Sequence, residues 1–187
     1  MKPLIIATLS LFILSACSSL PTGLQSRAEN PIVDYQDLAS SVRADESVVF
    51  DVRLGGVIAS VDNMADKTRI EVVNLPLTSS GKPDIKQEPN ERFVAYVDGF
   101  LEPVSYAEGR LITVVGTSAG YENNKVGEYS STVPVIEAYG HQLWRVEETV
   151  IIHNHDSNFP PCYGLYCRHY RNYLGVSKGT VTQEVKL

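Results

Sequence analysis

Apolar and polar side chains alternate through the middle of the chain. Val48 to Leu54, and Val57 to Val61 beyond two glycines, keep a period near two. That pattern predicts one long strand. The adjacent Gly55 and Gly56 predict a bulge, a sharp bend or a close backbone approach within it. Asp62 to Lys67 reads as a turn, and Thr68 to Leu75 as the next strand, stopped by Pro76. Together they predict a hairpin. Residues 78–90 are polar and hold Gly81, Pro83 and Pro89, a loop. Arg92 to Val97 alternates again, and Leu111 to Thr117 is almost continuously apolar. Tyr121 to Ser130 reads as a polar hairpin loop, and Thr132–Ala138 and Gln142–Val150 as a last extended stretch bent at Gly140-His141. Before all of these, Tyr35, Leu38, Ala39 and Val42 stand at helical spacing behind Asp34, a possible cap for a short helix or turn. Five extended segments, a bent first strand and no long helix predict a mainly β fold. The nearest architecture is a small OB-like five-stranded barrel, with a β-sandwich as the alternative.

The N-terminus departs from this pattern. Lys2 precedes an apolar run from Leu4 to Leu14, which closes on Ser15-Ala16-Cys17. The run is about half of the roughly 20 residues that span hydrocarbon, so it predicts a leader rather than a membrane helix. Leu14-Ser15-Ala16-Cys17 resembles a bacterial lipobox. An ordinary secretory signal would carry Ala-x-Ala, which is missing. The expectation is a signal peptide over 1–16 and a lipid on Cys17. Ser18, where Asp would signal inner-membrane retention, implies the outer membrane. Residues 17–31, small and polar with Pro21 and Pro31, read as a flexible tether. The β domain is then expected over 32–150 and an irregular Tyr/His/Cys-containing tail over 151–187.

Charge narrows the partners. Removal of Lys2 with the leader moves the formal charge from −6 to −7. An acidic chain argues against nucleic acid and against electrostatic adhesion to anionic head groups. Besides Cys17 only Cys162 and Cys167 remain. An even pair in an oxidising compartment is most simply a disulfide. The same cysteines with His153, His155 and His169 are the ligand types of a tetrahedral metal site, but the spacing is not that of a zinc finger and the thiols would have to be reduced. The expectation is a disulfide, with a histidine metal site as the alternative and no cofactor. Trp144, in an alternating strand, reads as a core or rim aromatic before a ligand platform. Asp51 and Glu71 fall on the solvent side of their strands by alternation, not in a paired catalytic site. Gly55-Gly56 is not followed by a helix, so it is no phosphate loop. Tyr163, Tyr166, Tyr170 and Tyr173, interleaved with Arg168 and Arg171, read as an interaction tail or a solvated end.

Six segments in order carry a family resemblance: Arg53–Ile58, Glu71–Leu77, Lys82–Asp84, Gly99–Pro103, Thr113–Thr117 and His141–Trp144. Behind a lipobox they resemble the Slp-type, starvation-inducible outer-membrane lipoproteins, over roughly residues 12–150. The tail departs from the Tyr-, Trp- and Gly-rich ends of that family. The resemblance implies a lipoprotein of the stress or stationary-phase envelope. It brings no catalytic residue. The leading expectation is a non-enzymatic protein on the periplasmic face of the outer membrane that contacts another envelope component. The alternatives are a small-molecule or metal-binding lipoprotein and, with no nucleophile–base pair in sight, a hydrolase.

Overall fold

The computed structural model describes residues 20–45, 47–89, 91–153 and 178–187. Among the described residues one α-helix, α1 (Tyr35–Ala44), precedes six strands: β1 (Asp51–Asn63), β2 (Lys67–Leu75), β3 (Arg92–Asp98), β4 (Leu111–Val126), β5 (Tyr129–His153) and β6 (Lys178–Lys186). They fall into two compact units, divided between Trp144 and Arg145.

The first unit is a sheet closed on itself. β1 pairs antiparallel with β2 and with β4, β2 with β3, and β4 with β5. A short parallel ladder, Val94–Val97 against Val135–Ala138, joins β3 to β5 and completes the ring. The result is the expected five-stranded OB-like barrel, and closure excludes the sandwich. Alternation places Val52, Leu54, Ile58, Ile70, Val72, Phe93, Ala95, Ile112, Val114 and Ile136 in one interior cluster. Leu38 and Val42, one turn apart on α1, join it. Asp34 starts that helix as expected: its carboxylate accepts from the amides of Gln36 (2.7 Å) and Asp37 (3.3 Å).

Gly55 and Gly56 serve close approach rather than a bulge. A Cβ on Gly56 would lie 1.9 Å from the Val73 carbonyl oxygen, and one on Gly55 2.8 Å from that of Ile112. The register shift of β1 comes later, between Ile58 and Ser60. Gly56→Val is therefore expected to lower stability by about 1–3 kcal/mol, the usual cost of overpacking. Equal melting temperatures for the two proteins would refute this.

Two regions differ from expectation. Tyr121 to Ser130 is not a loop: β4 and β5 stay paired from Tyr121↔Pro134 to Val126↔Tyr129. The turn is only Gly127-Glu128, and Gly127 at φ 62 supplies the left-handed position a two-residue hairpin needs. The bend expected at Gly140-His141 is a register shift that leaves Tyr139 unpaired, with β5 continuous through it. The tail expected to be irregular holds a strand: the second unit is a ribbon of Arg145–His153 of β5 against β6. No helix among the described residues is long and apolar enough to cross a membrane.

Candidate functional site

The first site is where the N-terminal segment meets the barrel wall. Of the stretch read as a tether, residues 20–31 begin to pack at Leu20. Thr22–Leu24 form a 3-10 turn, and Leu24 is 0% exposed. A Cβ on Gly81 would fall 2.7 Å from Leu20 Cδ2, and one on Gly140 2.4 Å from the Gly23 carbonyl oxygen, so both glycines admit this segment. Further along, the Arg27 amide donates to Tyr139 Oη (3.0 Å), and the Tyr139 hydroxyl donates to Asp51 Oδ1 (2.8 Å). Ile32 bridges to Val52, accepting from the Arg53 amide and donating to the Asp51 carbonyl at 2.8 Å each.

Trp144 lies on the same wall. It is 1% exposed, a core aromatic as read from the sequence. Its indole N–H donates to Thr113 Oγ1 (2.9 Å), whose hydroxyl donates to the Gly81 carbonyl (2.7 Å). One hydrogen-bonded chain thus joins β5, β4 and the β2–β3 loop.

The second constellation lies on the outside of β2 and β3. The β4–β5 hairpin, freed to bend by Gly120 at φ 75, brings Glu122 and Asn124 onto Arg69 and Glu71. Arg69 donates to Glu122 Oε1 from Nε (2.9 Å) and Nη2 (2.7 Å), and to Asn124 Oδ1 (3.0 Å). Tyr96 Oη donates to the other Glu122 oxygen (2.7 Å). Asn124 Nδ2 donates to Glu71 Oε1 (2.8 Å), and the Arg92 guanidinium pairs with the same oxygen. Glu71 faces outward as its strand position implies, yet it is only 6% exposed. Burial works against the charge on Arg69, but the Glu122 carboxylate prevails and holds the guanidinium more firmly protonated than usual. Burial and then the bond to Glu122 push the Tyr96 hydroxyl up. Each carboxylate of the cluster is engaged by cations or amides, so the arrangement clamps the hairpin to the barrel.

The profile of the Outer membrane lipoprotein Slp family matches residues 14–173. Uncharacterized lipoprotein YeaY of Escherichia coli (strain K12) is 32% identical over 140 residues, covering 74% of this chain and 70% of that protein. Outer membrane protein Slp of the same strain is 31% identical over 149 residues, 80% of this chain and 78% of its own. An uncharacterized protein of Haemophilus influenzae is 34% identical over 139 residues, 74% of each chain. No solved structure matches. The chain belongs to the Outer membrane lipoprotein Slp family. The match starts at Leu14 and reaches Tyr173, so most of the tail belongs to the family region as well.

In this Slp-family chain several residues singled out from the sequence lie outside the described residues: Cys17, Cys162, Cys167, His155 and His169. His153 ends β5, and only its backbone is described. Among the described residues no three His, Cys, Asp or Glu side chains gather as metal ligands would. Alternation did not find Glu122 and Asn124, which lie in the stretch read as a loop. Leu20 and Leu24, four residues apart in a polar stretch, were the available signal for the attached segment.

His141, the remaining described histidine, is held by Tyr106 of the β3–β4 loop. The Tyr106 hydroxyl lies 2.7 Å from Nε2, and the rings meet edge to face at 5.6 Å. Burial pushes the imidazole below its ordinary value. The folded state therefore resists protonation more than the unfolded chain does. Stability from this group is complete above the unfolded value of about 6.5 and falls as pH drops below it. His141→Gln is expected to show a smaller loss of melting temperature than the parent between pH 7.5 and 5.5. Parallel losses would refute the role.

Proposed function

We propose that this chain is a lipid-anchored outer-membrane lipoprotein, held by acyl chains on Cys17. Its β domain faces the periplasm in a structural or interaction role in the stress or stationary-phase envelope, without catalysis. One observation carries the reading. The chain packs against its barrel from Leu20, three residues after Cys17. Three residues reach about 10 Å at most. A lipid on Cys17 thus holds the barrel wall at the membrane surface instead of on a long leash. A family match that starts at the lipobox supports the same reading, as do the names of the relatives, "lipoprotein" and "outer membrane protein". Ser18 in place of Asp favours outer-membrane sorting. For the absence of catalysis, the support is that the buried acidic residue Glu71 and its neighbour Glu122 are committed to Arg92, Asn124, Arg69 and Tyr96.

The test is Cys17→Ser in growing cells fed a fatty-acid analogue. The parent is expected to incorporate the label and to sediment with outer membrane. The variant is expected to do neither, because stable anchoring needs two or more acyl chains. Equal labelling of both would end the proposal.

A further inference from the structure

Two loops meet at one end of the barrel and are stitched together. Asn63 Nδ2 donates to the Leu101 carbonyl (3.0 Å), and its Oδ1 accepts from the Leu101 amide (3.2 Å). The buried Thr68 hydroxyl donates to the Gly99 carbonyl (2.8 Å), and the Gly99 amide donates to the Asp66 carbonyl (2.8 Å). Gly99 makes its turn in the left-handed region at φ 81, and Leu101 enters the core. These bonds bracket Met64 in the β1–β2 turn and Phe100 in the β3–β4 loop. Neither is covered: Met64 is 56% and Phe100 69% exposed, and Val104 beyond them is 82% exposed. The exposed residues around them include four carboxylates, on Asp62, Asp66, Asp98 and Glu102. The nearby cations are engaged on the outer face of β2 and β3. Lys67 pairs with Glu137 (3.2 Å) over the Tyr96 ring, and Arg69, 3.6 Å from Asp62, is held by Glu122 at 2.7 Å.

We propose that this end of the barrel is a docking tip for another envelope protein, one that offers an apolar pocket edged by Lys or Arg. The proposal names the partner class for the interaction role above and rests on that reading. Asn63 and Thr68 fix the backbone on both sides of Phe100, so an aromatic already held in place is bound with little ordering cost. Aromatic residues and Met are enriched in the cores of protein interfaces. The acidic rim selects the occupant. A second copy would set these carboxylates against their own kind, and anionic head groups would repel them, whereas a basic rim pairs with them. Position argues against the bilayer as well. Leu20 and Leu24 lie beside Gly81, in the loop that leaves the C-terminal end of β2. The tip stands at the N-terminal end of the same strand, and nine residues of strand are about 26 Å long. A lipid on Cys17 therefore holds the far end of β2 at the membrane and leaves the tip free for a protein.

The photoreactive residue p-benzoylphenylalanine is placed at Phe100 or at Val104 of the full, lipidated chain, and growing cells are irradiated. Each position is expected to yield a discrete adduct with a second protein. The same probe at Tyr129, 73% exposed on the β4–β5 hairpin, is expected to yield none. Asp66→Lys with Asp98→Lys should lower the yield from position 104 about tenfold, because like charges then meet across the interface. Phe100→Ser should lower it about as much by removing the central aromatic anchor. Met64→Ser, read in the same way, weakens the tip without touching the β3–β4 loop. All three variants should keep the parent's melting temperature, since the replaced side chains are exposed. The proposal is overturned if positions 100 and 104 give no adduct, or if the adduct is a second copy of this chain or a lipid. It is equally overturned by adducts as strong at position 129, or by a yield that the charge reversal or both serine variants leave unchanged. The fatty-acid label on Cys17 is read in the same cells, so loss of the anchor is seen separately from failure of the tip.

Discussion

Trp144→Ala is expected to destabilise the barrel by about 3–5 kcal/mol, the upper range for deleting a buried aromatic. Three effects act together. A side chain that is 1% exposed leaves a cavity on the wall. Thr113 Oγ1 loses its indole donor, although its own bond to the Gly81 carbonyl remains. The β2–β3 loop, where Gly81 meets Leu20 and Leu24, then loses an aromatic beside it, since Lys82 Nζ also sits 5.9 Å from the Trp144 ring. The unfolding midpoint in urea, followed by far-ultraviolet circular dichroism, measures the loss. Thr113→Val separates packing from hydrogen bonding. It keeps the shape but strands an indole N–H and a carbonyl, and should cost about 1–3 kcal/mol. A Trp144→Ala variant within 1 kcal/mol of the parent would show that the wall collapses around the gap without penalty.

Arg92→Met is expected to cost about 2 kcal/mol. Breaking a buried ion pair costs more, about 3–5 kcal/mol, but the Arg92 side chain is 31% exposed and water shares its charge. The loss arises on the partner: Glu71, 6% exposed, loses its ion pair and keeps the Asn124 amide and the more distant charge of Arg69. Glu71→Gln in the Arg92→Met background removes the orphaned charge and should recover most of the loss. With Glu71→Gln alone as the third variant, these form a cycle whose coupling energy isolates the pair. Additive losses would show that Arg92 acts by packing alone.

The strands of the barrel were legible because each has one face toward the core. Val52, Leu54 and Ile58 on β1, or Phe93 and Ala95 on β3, repeat with the pleat, and the interior cluster collects that set. The outer half of β4 and the start of β5 were not legible. Glu122, Asn123, Asn124 and Lys125 carry no apolar stripe, because that hairpin is held by Arg69 and Glu71 across the barrel instead of by a hydrophobic face. β6 was not legible for a related reason: its exposed Val181 faces no core, and the strand falls in the tail expected to be irregular. Glu71 was placed on the correct face and yet is buried, because strand period reports direction and not what lies beyond.

Local sequence by itself determined the chain's strand directions, the capped helix at Asp34 and the family. Each depends on residues close together in the chain or on order along it. Tertiary structure alone decided that β3 meets β5 and closes the ring, that Glu122 and Asn124 clamp Arg69 and Glu71, and that Leu20 and Leu24 lie against the wall beside Gly81 and Gly140. These are contacts between distant positions, and their energy exists only once the backbone has brought both partners together. Gly56 joins the two levels: its residue type marks a tight place, and only the Val73 carbonyl 1.9 Å from where a Cβ would stand says what makes it tight.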